Sequence, residues 1–160
     1  MKEIAELLVA ADRTQAGRSP SSPGPRAPTR GECNNNPGNI RKSDAAWRGA
    51  VAGNDPAFVT FDSPEHGIRA MAKVLLTYQR QHGLDTIAEL IERWAPAVEN
   101  DCFAYIDDVA TRLGIDPDAR IDLANPAILA PLCGAIIWHE NGRQPYSAAV
   151  LAAAVGAALA

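Results

Sequence analysis

Residues 125–142 read NPAILAPLCGAIIWHENG, and the architecture can be worked out from this segment outward. Asn125 and Pro126 are typical of a helix start, because asparagine caps the free backbone amides and proline fits the first turn. The residues that follow are apolar on nearly every helical face up to Trp138, as in a helix buried at the centre of a domain. Glu140 comes at the end, just before an Asn-Gly stop signal. We therefore predict a buried central helix that ends in a carboxyl group.

Further helices are predicted on both sides of this central helix, because apolar residues recur there at helical spacing. They cover residues 63–83, 85–96, 100–114 and 147–160. Ser63, Asp85, Asn100 and Ser147 are the expected N-terminal caps of these four helices.

A small β-hairpin is predicted before the helices. Two short apolar stretches, at 47–51 and 57–61, flank the sequence Gly-Asn-Asp-Pro at 53–56, which is a strong turn signal. The sequence as a whole therefore predicts an α+β fold that is predominantly helical, with one small β-hairpin.

The first thirty residues differ in composition from the rest. Residues 1–12 place Ile4, Leu7 and Leu8 at helical spacing, which predicts a short amphipathic helix. Residues 13–30 are rich in Pro, Ser, Gly and Arg, a composition typical of a flexible linker. We expect one folded domain at 31–160.

Neither export by a signal peptide nor membrane insertion is expected from the sequence. Acidic residues within 1–12 argue against a signal peptide. No apolar run reaches the ~20 residues of a membrane helix, so membrane insertion is not expected.

Composition excludes several functional classes. The chain is 47% hydrophobic and 21% charged, which is ordinary for a globular protein, and its net charge of -4 argues against a nucleic-acid partner. Its three cysteines form no CxxC or Cys/His spacing, so neither a metal site nor a cofactor is predicted.

An asparagine-rich segment, Asn34-Asn35-Asn36-Pro37-Gly38-Asn39-Ile40-Arg41, lies just before the predicted hairpin. It has two interpretations. Asn, Pro and Gly are the residues of which turns are made. Four asparagines also supply neutral donors and acceptors near aromatic rings, the groups that bind sugar hydroxyl and acetamido groups. On the second interpretation the candidate substrate-binding residues are Asn34, Asn35, Asn36, Asn39, Arg41, Trp47 and Tyr146.

Glu140 is the candidate catalytic residue. Its position at the negative end of a helix dipole and beside an apolar face is expected to raise its pKa, as the general acid of a glycosidase requires. The alternative is a solvated glutamate at a helix end. Glu32, next to the asparagines, and Glu99, just before a helix, are the other candidate acids. His139 and Asn141 are expected to support Glu140.

Several motifs together resemble a known family. The run NNNPGNIR at 34–41, the run PEHGIRA at 64–70 and the run HENG at 139–142 are similar to a family of phage-associated and secreted bacteriolytic proteins of the lysozyme superfamily. The likeness covers about residues 31–150. It implies a lysozyme-like domain that cleaves the bond between N-acetylmuramic acid and N-acetylglucosamine in peptidoglycan, as a muramidase or a lytic transglycosylase.

The order of the motifs departs from that family. In its relatives the catalytic glutamate usually precedes the hairpin, whereas here Glu140 follows it by many residues. We therefore expect a circularly permuted arrangement, in which Glu140 folds back beside the turn at 34–41.

The resemblance also implies partners and a place of action. Peptidoglycan glycan strands are the expected partner, on the cell wall in the periplasm. Because no signal peptide is expected, a virion, a lysis system or a secretion machine would deliver the protein. Its N-terminal segment would then contact the virion, the secretion apparatus or an immunity protein. The alternative is a non-catalytic peptidoglycan-binding or virion-structural domain on the same scaffold.

Overall fold

The predicted central helix is present. The computed structural model describes residues 25–97 and 101–160, and within them α5 spans Pro126–Asn141. Asn125 caps its start, and Gly142, with φ of 68°, ends it in the left-handed conformation. Seven of its 16 residues are buried, whereas Trp138 is 40% exposed, so the helix is less completely buried than its apolar sequence predicts and one side of its last turns faces solvent.

The other predicted helices are present as well. They are α2 (Pro64–His82), α3 (Ile87–Trp94), α4 (Cys102–Leu113) and α6 (Ala148–Leu159). The helix α6 packs along both α2 and α5, while α4 packs between α3 and α5. The α+β, predominantly helical fold is confirmed.

Two of the predicted helix caps were wrong by one residue. Thr86 rather than Asp85 caps α3, because its hydroxyl accepts a hydrogen bond from the Glu89 amide while the Glu89 carboxylate accepts one from the Thr86 amide. Asp101 caps α4 through the Ala104 amide. Asn100, the predicted cap, lies outside the described residues.

The predicted β-hairpin is present but short. Strands β1 (Ala50–Val51) and β2 (Thr60–Phe61) form one antiparallel pair, with Ala50 opposite Phe61. An isolated antiparallel bridge between Arg41 and Phe58 connects the end of the asparagine segment to the hairpin.

A short helix that the sequence analysis did not predict precedes the asparagine segment. Helix α1 spans Arg30–Cys33 and begins with a capping box between Thr29 and Glu32. Arg30 pairs with Asp55 of the hairpin turn at 2.6 Å. Thr29 and Arg30 are therefore part of the folded domain, although its expected start was Gly31. The predicted N-terminal helix and linker up to residue 24 lie outside the described residues.

The core lies between the helices and the inner face of the hairpin. Its largest fully buried side chains include Trp94, Tyr78, Tyr105 and Phe61.

Cys33, Cys102 and Cys133 are all free thiols, and Cys33 is exposed. In the described part of the chain, no helix combines the length and the apolar character needed to cross a membrane.

Candidate active site around Glu140

The asparagine segment is a turn held together by its own side chains. Asn36 is fully buried: its Nδ2 donates to the carbonyl oxygens of Ile40 (3.0 Å) and Val59 (2.9 Å), and its Oδ1 accepts from the Ile40 amide at 2.9 Å. These bonds tie the turn to the hairpin. Asn36 therefore has a structural role in this fold.

Asn34 and Asn35 also bind the hairpin. The Asn34 amide donates to Asp55 at 2.9 Å, and the Asn35 amide donates to the Phe61 carbonyl oxygen at 3.0 Å. Asn35 has a φ of 49° and Asn39 a φ of 51°, a left-handed backbone that asparagine tolerates better than most residues. Turn geometry thus explains much of the asparagine content.

Asn141 joins the end of α5 to this turn. Its Nδ2 donates to the carbonyl oxygens of Pro37 (3.0 Å) and Ile137 (2.8 Å), and its Oδ1 accepts from the Thr29 hydroxyl at 2.6 Å. Asn141 is 4% exposed. These bonds bring the last turn of α5 against residues 34–41, so the expected approach of Glu140 to the asparagine turn is seen in the structure.

The Glu140 carboxyl lies between two side chains from different parts of the fold. Its Oε1 accepts a hydrogen bond from the Tyr105 hydroxyl at 2.8 Å, and its Oε2 lies 3.4 Å from the Asn39 Nδ2. Glu140 itself is partly exposed, whereas Tyr105 and Asn39 are buried. The Glu140 carboxyl is therefore partly open to solvent and in contact with two buried polar side chains.

Tyr105 keeps its proton at neutral pH. Burial raises the pKa of its hydroxyl well above the ordinary value, and the nearby charge of Glu140 and the hydrogen bond to it raise this pKa further. The phenol is therefore a permanent donor toward an ionised Glu140.

His139 lies next to Tyr105 rather than directly against Glu140. The two rings are stacked with centroids 3.7 Å apart and planes inclined by 28°. His139 Nδ1 lies 2.9 Å from Asp108 Oδ2. The Asn141 side chain is bonded to Thr29, Pro37 and Ile137, so support of Glu140 by His139 and Asn141 stays a prediction.

Three of the predicted substrate-binding residues, Arg41, Trp47 and Tyr146, contact side chains other than Glu140. Arg41 lies over the Phe58 ring at 5.5 Å, and Trp47 packs partly buried against the core. Tyr146 is close to Glu32 and Arg143; burial and the Glu32 charge raise its pKa to about 12. None of these contacts involves Glu140.

The other candidate acids are not equivalent to Glu140. Glu32 forms two hydrogen bonds with the Arg143 guanidinium, at 2.7 and 2.8 Å. Burial by itself would raise the pKa of Glu32, but the Thr29 amide and the Arg143 guanidinium outweigh it and hold this pKa below the ordinary value. Glu32 therefore serves as an ionised structural group. Glu99 lies outside the described residues.

Sequence analysis missed Tyr105 and Asp108. A signal was available: the two residues are three apart in α4 and so share one helical face, and a buried tyrosine hydroxyl usually has a hydrogen-bond partner. Nothing in the sequence identified that partner as Glu140.

Among the described residues, no three His, Cys, Asp or Glu side chains are grouped so that they could hold a metal ion.

Comparison with known proteins relates the chain to a phage protein. No family model matches the chain. Protein P5 of Pseudoalteromonas phage PM2 is 42% identical to it over 123 residues, which cover 74% of this chain and 74% of the relative.

Proposed function

The chain belongs to the family of Protein P5 of Pseudoalteromonas phage PM2, and we propose that it cleaves peptidoglycan glycan strands with Glu140 as the general acid. The bond cleaved is the one between N-acetylmuramic acid and N-acetylglucosamine. The observation that carries this proposal is the position of the Glu140 carboxyl between the Tyr105 hydroxyl and the Asn39 amide.

Both of these neighbours suit a carboxyl group that must gain and lose a proton. A phenol can donate to a carboxylate or accept from a carboxylic acid, and the Asn39 Nδ2 can donate to an oxygen of either form of the carboxyl group. Glu32 and Asp55, in contrast, are each held by an arginine, which favours the ionised form alone. Tyr105 and Asn39 therefore support Glu140 in both states of a proton-transfer cycle.

The proposed reaction begins with proton transfer from the Glu140 carboxyl to the glycosidic oxygen. The bond between that oxygen and the anomeric carbon then breaks, and the sugar carbon develops oxocarbenium character. Glu140, now a carboxylate, accepts the proton of the hydroxyl that attacks the anomeric carbon. The carboxylic acid of Glu140 is regenerated, and the reaction requires no redox partner or cofactor.

Two attacking groups are compatible with this scheme. Water would give a free reducing end, as in a muramidase. The 6-hydroxyl of the N-acetylmuramic acid would give a 1,6-anhydro end, as in a lytic transglycosylase. We favour the second, since neither Tyr105 nor Asn39, which flank the Glu140 carboxyl, is a second carboxylate that could activate water.

This proposal places the protein in the lysozyme superfamily, with the permuted order of glutamate and hairpin described above. It also places the site of action at the cell wall. A phage relative favours delivery by a virion or a lysis system, and the N-terminal segment would make the contact with that machinery or with an immunity protein.

The test is incubation of the purified protein with peptidoglycan sacculi, followed by mass spectrometry of the supernatant. We expect soluble muropeptides with 1,6-anhydro ends, and reducing ends would assign a muramidase instead. Sedimentation of the protein with the sacculi without any release would contradict cleavage and would support the peptidoglycan-binding alternative.

A further inference from the structure

A connected set of side chains on α4 and α5 lies behind the Tyr105–Glu140 hydrogen bond. The Tyr105 ring stacks on the His139 ring, and the His139 imidazole is bonded through Nδ1 to Asp108. The second oxygen of Asp108 accepts a hydrogen bond from Arg112 Nε at 2.8 Å. Asp108 therefore has two partners, and only one of them leads to Glu140.

Each contact in this set restricts one degree of freedom of the next group. The hydrogen bond to Asp108 fixes the rotation of the imidazole about its bond to Cβ. The stacked imidazole then limits the tilt of the Tyr105 ring, because offset ring pairs have a preferred spacing and orientation. The tilt of the ring sets where the phenol oxygen lies relative to the Glu140 carboxyl.

We propose that Asp108 and His139 are positioning residues, which hold the Tyr105 ring so that its hydroxyl orients the Glu140 carboxyl. The catalytic meaning of this arrangement rests on the proposed function of Glu140. Neither residue touches the substrate in this account. Both act through Tyr105, which is 1% exposed.

A purely structural role for Asp108 predicts a different pattern of effects. The side chains of Asp108 and His139 are 31% and 29% exposed, and ion pairs at such positions contribute little to folding. Arg112 lies one helical turn beyond Asp108 and could stabilise α4 with it. If helix stabilisation is the purpose of Asp108, removal of Arg112 should have the same consequences as removal of Asp108.

The experiment uses the full chain and four variants. Asp108→Ala and His139→Ala remove the proposed positioning contacts. Asp108→Asn is the conservative variant, since its amide oxygen can still accept the His139 Nδ1 proton. Arg112→Gln is the matched control, because it removes the other partner of Asp108 and leaves the bond to His139 in place.

Two readouts are needed, one of them independent of activity. The first is the NMR spectrum of protein labelled with ¹³Cζ-tyrosine, in which Tyr105 is assigned by its loss in Tyr105→Phe. Its resonance reports the hydrogen bond of the phenol. The second is the kinetics of muropeptide release, with kcat and KM measured separately and Glu140→Gln as the inactive reference.

We expect Asp108→Ala and His139→Ala to shift the Tyr105 resonance and to lower kcat on the order of tenfold with KM unchanged. Asp108→Asn should recover most of the wild-type kcat, and Arg112→Gln should match wild type in both readouts. An unshifted Tyr105 resonance in Asp108→Ala and His139→Ala, or equal losses in Arg112→Gln and Asp108→Ala, would overturn the positioning role. Full activity of Glu140→Gln would instead refute the proposed function, and the NMR readout would still decide on the positioning.

Discussion

The side-chain amide of Asn141 donates to the carbonyl oxygen of Pro37 at 3.0 Å, across 104 residues of sequence. The same side chain accepts from the Thr29 hydroxyl, so one buried amide connects α5, the residues before α1 and the asparagine turn. Because Glu140 directly precedes Asn141, this amide also fixes where the candidate catalytic carboxyl meets Asn39.

The first prediction concerns the stability that Asn141 provides. Asn141→Ala should lower the free energy of unfolding by about 3 kcal/mol, because three hydrogen bonds are lost: the Pro37 carbonyl oxygen loses a donor and the Thr29 hydroxyl loses the oxygen to which it donates. Asn54→Ala, at an exposed position in the hairpin turn, should change it by less than ~0.5 kcal/mol. Urea unfolding followed by circular dichroism measures both. Equal values for the two variants would show that Asn141 is not the connection that we describe.

A second prediction concerns the close contact between α2 and the asparagine turn. A Cβ atom at Gly67 would overlap the carbonyl oxygen of Asn35, so Gly67→Ala should cost more than about 2 kcal/mol of stability. Gly156→Ala is the matched control in α6, where no atom lies within 4 Å of the added Cβ. It should stabilise the helix by up to ~1 kcal/mol, since alanine has the higher helix propensity. The prediction fails if both substitutions raise the melting temperature.

A third prediction separates the two roles of the asparagines. Glycine tolerates the left-handed backbone of both Asn35 and Asn39, so replacement by glycine removes each side chain without backbone strain. Asn39→Gly should lower kcat for muropeptide release on the order of tenfold, because the Glu140 carboxyl loses the contact with the Asn39 Nδ2. Asn35→Gly should lower stability by about 1 kcal/mol and leave the activity of the folded protein unchanged. A reversed pattern would assign substrate contact to Asn35.

The helices could be predicted largely because their signals are local. Ser63, Gly83 and Ser147 were correctly placed as helix ends, since a cap and the apolar spacing act within a few residues. The short helix α1 was missed although its capping box between Thr29 and Glu32 is a local signal, because it follows a segment of linker-like composition and carries no apolar repeat. Its Glu32 is bonded to Arg143, a residue brought close only by the folding of α5.

The site was only partly predictable. Glu140 could be proposed from its place at the end of an apolar helix, a local property. The direction of each side chain decides which asparagine binds the hairpin and which one reaches Glu140. Asn36 points into the hairpin, whereas Asn39 reaches Glu140. The part played by Tyr105 depends on how α4 packs against α5, which no single segment specifies.

A fourth prediction concerns the pH dependence of stability. The hydrogen bond from Arg30 is the largest of the effects that hold the pKa of Asp55 far below its ordinary value; burial opposes it, and the amides of Phe58 and Ala57 add to it. In the unfolded chain the pKa of an aspartate is about 3.9, so the unfolded state binds the proton first as the pH falls. The stability that ionised Asp55 contributes is therefore fully present above about pH 5 and is lost progressively below about pH 4.

Urea unfolding of the wild type and of Asp55→Asn at several pH values checks this prediction. The difference in unfolding free energy between the two proteins should be large at pH 6 and should shrink as the pH is lowered to 3. Asp44→Asn, at an exposed position, serves as the control. A difference that stays constant between pH 6 and pH 3 would contradict an ionised, arginine-held Asp55.

The central claim is that Glu140 donates the proton that breaks the glycan strand, and its most direct test is muropeptide release by Glu140→Gln. The substitution keeps the shape of the side chain and removes its acid proton. We predict a loss of about 10²–10⁴-fold in release from sacculi, the usual contribution of a general acid, with the melting temperature unchanged or higher. Glu32→Gln, the matched control, should lower stability but retain activity per folded molecule, because Glu32 is held by Arg143. A loss smaller than about tenfold in Glu140→Gln would contradict the catalytic role of Glu140.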